Sequence, residues 1–189
     1  MSSGKSNEII GIETNYRVQG KRALVLSPCA DTRALSVQGF VNSRSGASVP
    51  SIRFSPLDDL VKIVRSEHLN KRILCVLVDE AQFLTKEQVL QLTEIVDVMD
   101  ISVIAFGLKG DFRNTLFEGS YHLLAWADAI EEVKTVCWYC NRKATMNMRL
   151  SQNGRGVTDG AQVVIEGDGE GDARYRPVCR KCYKEHTKV

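Results

Sequence analysis

The chain has 189 residues, of which 43% are hydrophobic and 25% are charged, and its formal net charge at pH 7 is +2. This length fits one domain, or one domain with a small second one, in an ordinary globular protein. The weak charge argues against nucleic acid as a partner, and no apolar run approaches the roughly 18 residues that span a bilayer. The polar first twenty residues are not a signal peptide, so we expect a cytoplasmic protein with neither nucleic acid nor membrane as a partner.

The chain opens on a partial phosphate-binding motif, Gly4-Lys5-Ser6. In the full pattern, G-x-x-x-x-G-K-[ST], backbone N–H groups and the Lys bind nucleotide phosphates and the hydroxyl binds Mg²⁺. The first Gly of this pattern would precede Met1. Three common residues also fit a flexible polar terminus, and the motif alone does not decide between the two interpretations.

Helices and strands are predicted to alternate up to residue 136. Apolar runs indicate buried strands, and spacings of three and four residues indicate helices. Thr85 and Gln88 form a capping-box pattern at the start of one helix. Such alternation is typical of a parallel α/β sheet with right-handed crossovers. We predict helices at 7–19, 57–67, 85–99 and 121–129, strands at 22–27, 73–78 and 101–106, and a long loop or hairpin at 30–55.

The character of the chain changes after Val136. Glycines and two cysteine pairs replace the helical patterns there. We therefore predict an α/β domain at residues 1–136 and a small zinc-binding domain at residues 137–189.

The predicted strand at 73–78 ends in two carboxylates, Asp79 and Glu80. An apolar strand that ends in Asp is a Walker B arrangement, which places a carboxylate near a bound Mg²⁺ at the carboxyl edge of a parallel sheet. Glu80, one residue further, can accept a proton from a nucleophilic hydroxyl. A solvated Asp-Glu pair at a strand end is the alternative, and the Gly4-Lys5-Ser6 motif favours the catalytic interpretation.

Two C-x-x-C pairs predict a tetrahedral Cys₄ zinc site, because each pair can hold one edge of the metal and thiolates are soft ligands. A site with four protein ligands has no open position, so the zinc should be structural. Free or redox-active thiols are the alternative, and His186 is a minor rival ligand. The long separation between the pairs predicts a loop that is tied at its base and could cover a ligand. The four ligands are Cys137, Cys140, Cys179 and Cys182.

Two weaker patterns lie near the predicted strand ends. Asp31-Thr32-Arg33 follows the strand at 22–27 and suits metal and phosphate contact, although a surface turn is the simpler interpretation. A group of large apolar side chains could stack on a flat base, although ordinary core packing accounts for it as well. That group consists of Phe83, Leu108, Phe112 and Phe117.

Together these residues resemble the type II thymidine kinases, the zinc-containing cytosolic family. The most specific matching run is Asp-Glu-Ala-Gln-Phe-Leu-Thr at 79–85, and the resemblance covers nearly the whole chain in order. It implies an α/β, P-loop NTPase-like parallel sheet with a small C-terminal zinc-ribbon or lasso domain, and a first strand and first P-loop Gly that are absent from the residues given. The other matching runs are 3–6, 31–33, 107–108, 111–113, 116–119, 142–146 and 175–183.

The resemblance implies transfer of the γ-phosphoryl group of ATP to the 5′-hydroxyl of thymidine or deoxyuridine. Glu80 would be the base, and the family is commonly a homotetramer that thymidine triphosphate inhibits. The residues that would bind ATP and Mg²⁺ are Ser3, Gly4, Lys5, Ser6, Asp31, Arg33 and Asp79. Those that would contact the nucleoside are Phe83, Leu108, Phe112, Phe117, Asn147, Val164 and Tyr175. The acidic segment at 166–173 departs from the short Gly-rich turn usual in the family.

Two other functions stay open from the sequence. One is a catalytically impaired homologue that acts as a binding or assembly partner, which the incomplete P-loop suggests. The other is a zinc-ribbon nucleic-acid binder, which the near-neutral charge disfavours. Its support is a basic cluster at Arg174, Arg176, Arg180, Lys181 and Lys184.

Overall fold

The computed structural model describes residues 4–29, 39–162 and 174–187. Four residues that the sequence assigns to sites lie outside this range, as does the acidic segment 166–173. They are Ser3, Asp31, Arg33 and Val164. Among the described helices, none combines the length and the apolar composition that a membrane span requires.

The chain divides into two compact units. The first consists of the described residues of Gly4–Gly107 together with Glu118–Ile130, and the second of Leu108–Phe117 and the described residues of Glu131–Val189. The sequence predicts a single domain boundary, between residues 136 and 137. The segment Leu108–Phe117 belongs to the second unit because it packs with residues distant in sequence, a relation that composition does not reveal.

A four-stranded parallel sheet forms the centre of the first unit, with the strand order β4-β1-β5-β6. The predicted parallel α/β fold is therefore confirmed. A small antiparallel hairpin, β2–β3, lies within the region predicted as a loop or hairpin. The strands are β1 at Ala23–Pro28, β2 at Phe40–Asn42, β3 at Ser48–Pro50, β4 at Ile52–Phe54, β5 at Cys75–Val78 and β6 at Ser102–Ala105.

Helices cover the sheet on both faces. Side chains of β5 alternate between two apolar clusters, with Val76 and Val78 in one and Cys75 and Leu77 in the other. Burial on both faces explains why this strand reads as a continuous apolar run. The helices of this unit are α1 at Lys5–Val18, α2 at Leu60–Asn70, α3 at Lys86–Asp97 and α4 at Glu118–Trp126.

Two helix starts are fixed by side-chain caps. Thr85 caps α3, and Thr85 and Gln88 form the predicted capping box. The Asp59 carboxylate accepts a hydrogen bond from the backbone N–H of Lys62 at 3.0 Å and so begins α2 after residue 59. The prediction that this helix includes residue 57 is therefore wrong, and Leu57 is exposed.

The second unit contains an antiparallel sheet of three strands in the order β8-β7-β9. Its core joins Met148, Leu150 and Val178 to the cysteine pairs and Tyr183. A final helix, α5 at Arg180–Thr187, was not predicted. The strands are β7 at Met146–Leu150, β8 at Gly156–Val157 and β9 at Arg174–Val178.

Candidate active site and metal centre

Gly4, Lys5 and Ser6 lie at the amino end of α1 in the first unit. Gly4 has a φ of +86°, a left-handed conformation that suits glycine, and its carbonyl accepts the first helical hydrogen bond from the Glu8 N–H at 3.0 Å. The N–H groups in the first turn of a helix lack intrahelical partners and favour anions. Gly4 thus leads directly into a helix N-terminus, the kind of position at which proteins bind phosphate.

Asp79 and Glu80 follow β5, which lies between β1 and β6. Both residues are buried, at 2% and 9% exposure. The Asp79 N–H donates to the Leu26 carbonyl at 2.9 Å, and Asp79 Oδ1 accepts from the Glu80 N–H at 2.9 Å. Two adjacent carboxylates are therefore buried at the carboxyl edge of the sheet, where α/β proteins bind ligands. This burial argues against a merely solvated pair.

Glu80 has an unusual backbone conformation, with φ of 45° and ψ of 42°. Residues other than glycine adopt this left-handed region at a cost of about 1–3 kcal/mol, and such strain is concentrated at functional sites. The chain turns here from β5 into a short 3₁₀ helix, Ala81–Phe83. The carboxylate Oε2 of Glu80 accepts a hydrogen bond of 2.5 Å from Gln82 Nε2.

The four large apolar residues predicted to contact a base are divided between the two units. Phe83 belongs to the first unit and is half-buried. Leu108 belongs to the second unit and is also half-buried, whereas Phe112 and Phe117 are buried. Phe112 and Phe117 are thus largely removed from solvent, whereas Phe83 and Leu108 keep part of their surface exposed.

Phe112 is held firmly within the second unit. The guanidinium of Arg149 stacks 3.8 Å from the centre of its ring. The Tyr183 hydroxyl donates to the Phe112 carbonyl at 2.6 Å, and burial raises the pKa of that hydroxyl. The sequence predicts a nucleoside contact at Phe112 but gives no sign that Arg149 stacks on it, because only the fold brings the two together.

Asp111 organises the loop that carries Phe112. Its buried carboxylate accepts hydrogen bonds from the N–H groups of Arg113 and Thr115 and pairs with the Arg113 guanidinium at 2.9 Å. Gln162 also donates to this carboxylate, at 3.2 Å. The loop is thereby joined to the segment that precedes residue 163.

Two further predicted nucleoside contacts lie on the sheet of the second unit. Asn147 on β7 donates from its side-chain amide to the Gly110 carbonyl at 3.1 Å. Tyr175 on β9 is half-buried and stands opposite Arg149 in the β7–β9 register. Asn147 is thus attached to the loop that carries Phe112.

The four predicted cysteine ligands are brought together in the second unit, with all sulfurs within 4.8 Å of one another. Cys140 Sγ lies 3.7 Å from the sulfurs of both Cys179 and Cys182. A zinc ion bonded to four sulfurs at about 2.3 Å places them about 3.8 Å apart, so the cluster fits a tetrahedral Zn²⁺. His186 does not belong to this set, and its ring stacks on Tyr139.

The environments of the thiols differ. The backbone N–H of Cys182 lowers the pKa of the Cys179 thiol, whereas burial raises the pKa of the Cys182 thiol to about 12. Because thiolates are the ligands, zinc binding would release protons from this set. Of the two remaining cysteines, Cys75 on β5 is buried, whereas Cys29 follows the end of β1 and is exposed.

The chain is similar to thymidine kinases, both by a family model and by individual relatives. The family model described as thymidine kinase matches residues 1–183. The thymidine kinase of Rhodopirellula baltica is 49% identical over 185 residues, which cover 98% of this chain and 84% of that protein. The thymidine kinase of Shouchella clausii is 46% identical, covering 97% of this chain and 92% of the relative. That of Escherichia coli K12 is also 46% identical, covering 100% of this chain and 89% of the relative.

Proposed function

The chain belongs to the thymidine kinase family, and we propose that it transfers the γ-phosphoryl group of ATP to the 5′-hydroxyl of thymidine or deoxyuridine. The observation that supports this most directly is the buried carboxylate pair of Asp79 and Glu80 at the carboxyl end of a central parallel strand. Phosphoryl transfer needs little covalent help from the protein, so catalysis rests on positioning and on electrostatic stabilisation.

Glu80 is proposed as the base. It takes the proton of the 5′-hydroxyl while the 5′-oxygen bonds to the γ-phosphorus and the bond from that phosphorus to the β,γ-bridging oxygen breaks. General-base catalysis of this kind contributes about 10²–10⁴-fold. Its carboxylate is buried and already held by a hydrogen bond, which limits the reorganisation needed during the reaction.

Lys5 and the first N–H groups of α1 are proposed to bind the ATP phosphates, together with Ser3 and Gly4. Ser6 and Asp79 offer the hard oxygen ligands that Mg²⁺ prefers, so the described residues fit this ion. When bound, Mg²⁺ neutralises phosphate charge. Asp31 and Arg33 are proposed as further contacts to metal and phosphate, on the resemblance alone.

The nucleoside contacts are proposed from the resemblance, and the burial of Phe112 and Phe117 supports them. Apolar and aromatic walls suit a pyrimidine ring, and a polar amide can read its edge. The proposed contacts are Phe83, Leu108, Phe112, Phe117, Asn147, Val164 and Tyr175.

A structural zinc is proposed at Cys137, Cys140, Cys179 and Cys182. Four sulfurs would fill all four positions around the ion, which would then stabilise the second unit and take no part in the reaction. The resemblance also predicts a homotetramer in the cytoplasm, and analytical ultracentrifugation tests the oligomeric state. No observation on the described residues favours the alternative of a binding partner without catalysis.

Transfer of labelled γ-phosphate from ATP to thymidine tests the proposal. We expect product from the unaltered chain and a fall in kcat of at least about 100-fold in Glu80→Gln. Glu87→Gln, which changes an exposed carboxylate in the first turn of α3, is the matched control and should retain full activity. Equal activity of Glu80→Gln and the unaltered chain would exclude Glu80 as the base.

A further inference from the structure

Gln82 is a buried amide directly beside the proposed base. The residue is 2% exposed, and its Nε2 lies 2.5 Å from Glu80 Oε2. An amide that donates to a carboxylate makes a charge-assisted hydrogen bond, which is stronger and more directional than a neutral one. The bond therefore restricts the rotation of a flexible glutamate side chain.

The 3₁₀ helix that carries Gln82 is itself fixed by its neighbours. The Ala81 N–H donates to the Phe106 carbonyl at 2.8 Å. Gly107 packs closely against Gln82. A Cβ at position 107 would lie 3.0 Å from the backbone nitrogen of Gln82 and 3.1 Å from its side-chain Oε1. A side chain at position 107 would therefore crowd both the backbone and the amide of Gln82, and glycine avoids this contact.

Gly119, at the start of α4, packs against the backbone carbonyls of the 3₁₀ helix. A Cβ on Gly119 would lie 2.5 Å from the Ala81 carbonyl oxygen and 2.9 Å from that of Gln82. These distances are shorter than real Cβ contacts, so only glycine allows α4 to pack here. The 3₁₀ helix is thus held between β6 and α4 within the first unit.

We propose that Gln82 is a positioning residue that orients the Glu80 carboxylate toward the hydroxyl proton. This inference rests on the proposed function and adds a residue to the site. Gln82 neither gains nor loses a proton in the reaction.

Gln82→Met tests the role, because Met has a similar size and no amide. A displacement of a catalytic group by about 1 Å can cost about 100-fold. We expect kcat to fall about 10- to 100-fold while the KM values for thymidine and ATP change less than about 2-fold, since binding does not use the base.

A double-mutant cycle distinguishes positioning from a general loss of structure. In a Glu80→Ala background there is no carboxylate to orient, so Gln82→Met should reduce the residual rate no further. Gln88→Met is the matched control, since Gln88 is an equally buried amide that donates to the Ser55 carbonyl at 2.8 Å. It should lower the melting temperature, leave kcat per folded molecule unchanged and give no coupling with Glu80→Ala.

The possible results distinguish a failure of the proposed kinase function from a failure of the positioning role of Gln82. If the unaltered chain transfers no phosphate to thymidine, the proposed function fails. If it is active but Gln82→Met causes the same fractional loss with and without Glu80, the positioning role is overturned. A rise in the thymidine KM at constant kcat would also overturn it, because Gln82 would then bind the nucleoside.

Discussion

The guanidinium of Arg149 lies 3.8 Å from the centre of the Phe112 ring, which is only 1% exposed. The same guanidinium donates to the carbonyls of Asp159 at 2.7 Å and Ala161 at 3.0 Å. It therefore links a strand, a loop and the segment before residue 163. Arginine suits this position because its planar group can stack and form two directed hydrogen bonds together.

Arg149→Met should lower the free energy of unfolding by about 1–3 kcal/mol, since it removes a cation–π contact and two hydrogen bonds at a partly exposed site. Arg149→Lys should recover little of this loss, because an ammonium cannot stack and donate to both carbonyls. Urea denaturation measures the change. Arg155→Met, at an exposed site on the following turn, should stay within about 0.5 kcal/mol of the unaltered chain. Equal stability of Arg149→Met and Arg155→Met would contradict the assignment.

Substitution of glycine by alanine should lower the free energy of unfolding at one helical glycine and raise it at another. Gly119→Ala places a Cβ 2.5 Å from a backbone oxygen, so α4 must shift, and we expect a loss of about 1–3 kcal/mol together with lower kcat. Gly11→Ala on the exposed face of α1 meets no atom within 4 Å and should stabilise by about 0.5–1 kcal/mol. Thermal unfolding of both variants checks the prediction. A neutral Gly119→Ala would show that α4 is not held against the 3₁₀ helix.

Features set by local sequence were predictable. The capping box of Thr85 and Gln88 lies within four residues. The continuous apolar sequence of β5 indicates by itself that the strand is buried on both faces. The Asp79-Glu80 pair was identified because a strand end defines its place without knowledge of the neighbours. Its position beside β1 and β6 follows from the parallel order of the strands.

Features set by distant contacts were not predictable. β4 has only three residues, and it is a strand because it pairs with β1, where Ile52 stands opposite Leu26. The helix α5 is mostly polar, and its buried face consists of Cys182 and Tyr183. The hydrogen bond from Gln82 to Glu80 depends on a left-handed backbone that no residue pattern signals.

One zinc ion per chain is expected after dialysis, by elemental analysis. Cys179→Ser removes a ligand from a set whose sulfurs lie within 4.8 Å of one another and should abolish stoichiometric zinc. Cys29→Ser, outside that set and exposed, should leave the zinc content unchanged. Because protons compete with the metal for thiolates, zinc retention should fall as the pH is lowered. A zinc-free unaltered chain that melts at the same temperature with and without added zinc would exclude the site.

Asp79→Asn should separate metal binding from folding. The amide oxygen can still accept the 2.9 Å hydrogen bond from the Glu80 N–H, so the turn should be retained. The lost charge should weaken Mg²⁺ binding, and we expect the Mg²⁺ concentration for half-maximal rate to rise about tenfold or more. Asp97→Asn, at an exposed position on α3, is the matched control and should behave as the unaltered chain.

The Asp79→Asn result has a clear contrary outcome. If the rate falls at every Mg²⁺ concentration with an unchanged midpoint, the carboxylate does not act on the metal. The loss would then come from another effect of the removed charge on the reaction, because the amide oxygen retains the hydrogen bond from the Glu80 N–H. A raised midpoint with partial recovery at high Mg²⁺ is what a metal-directed carboxylate requires, because added ion compensates for weaker binding but not for a displaced base.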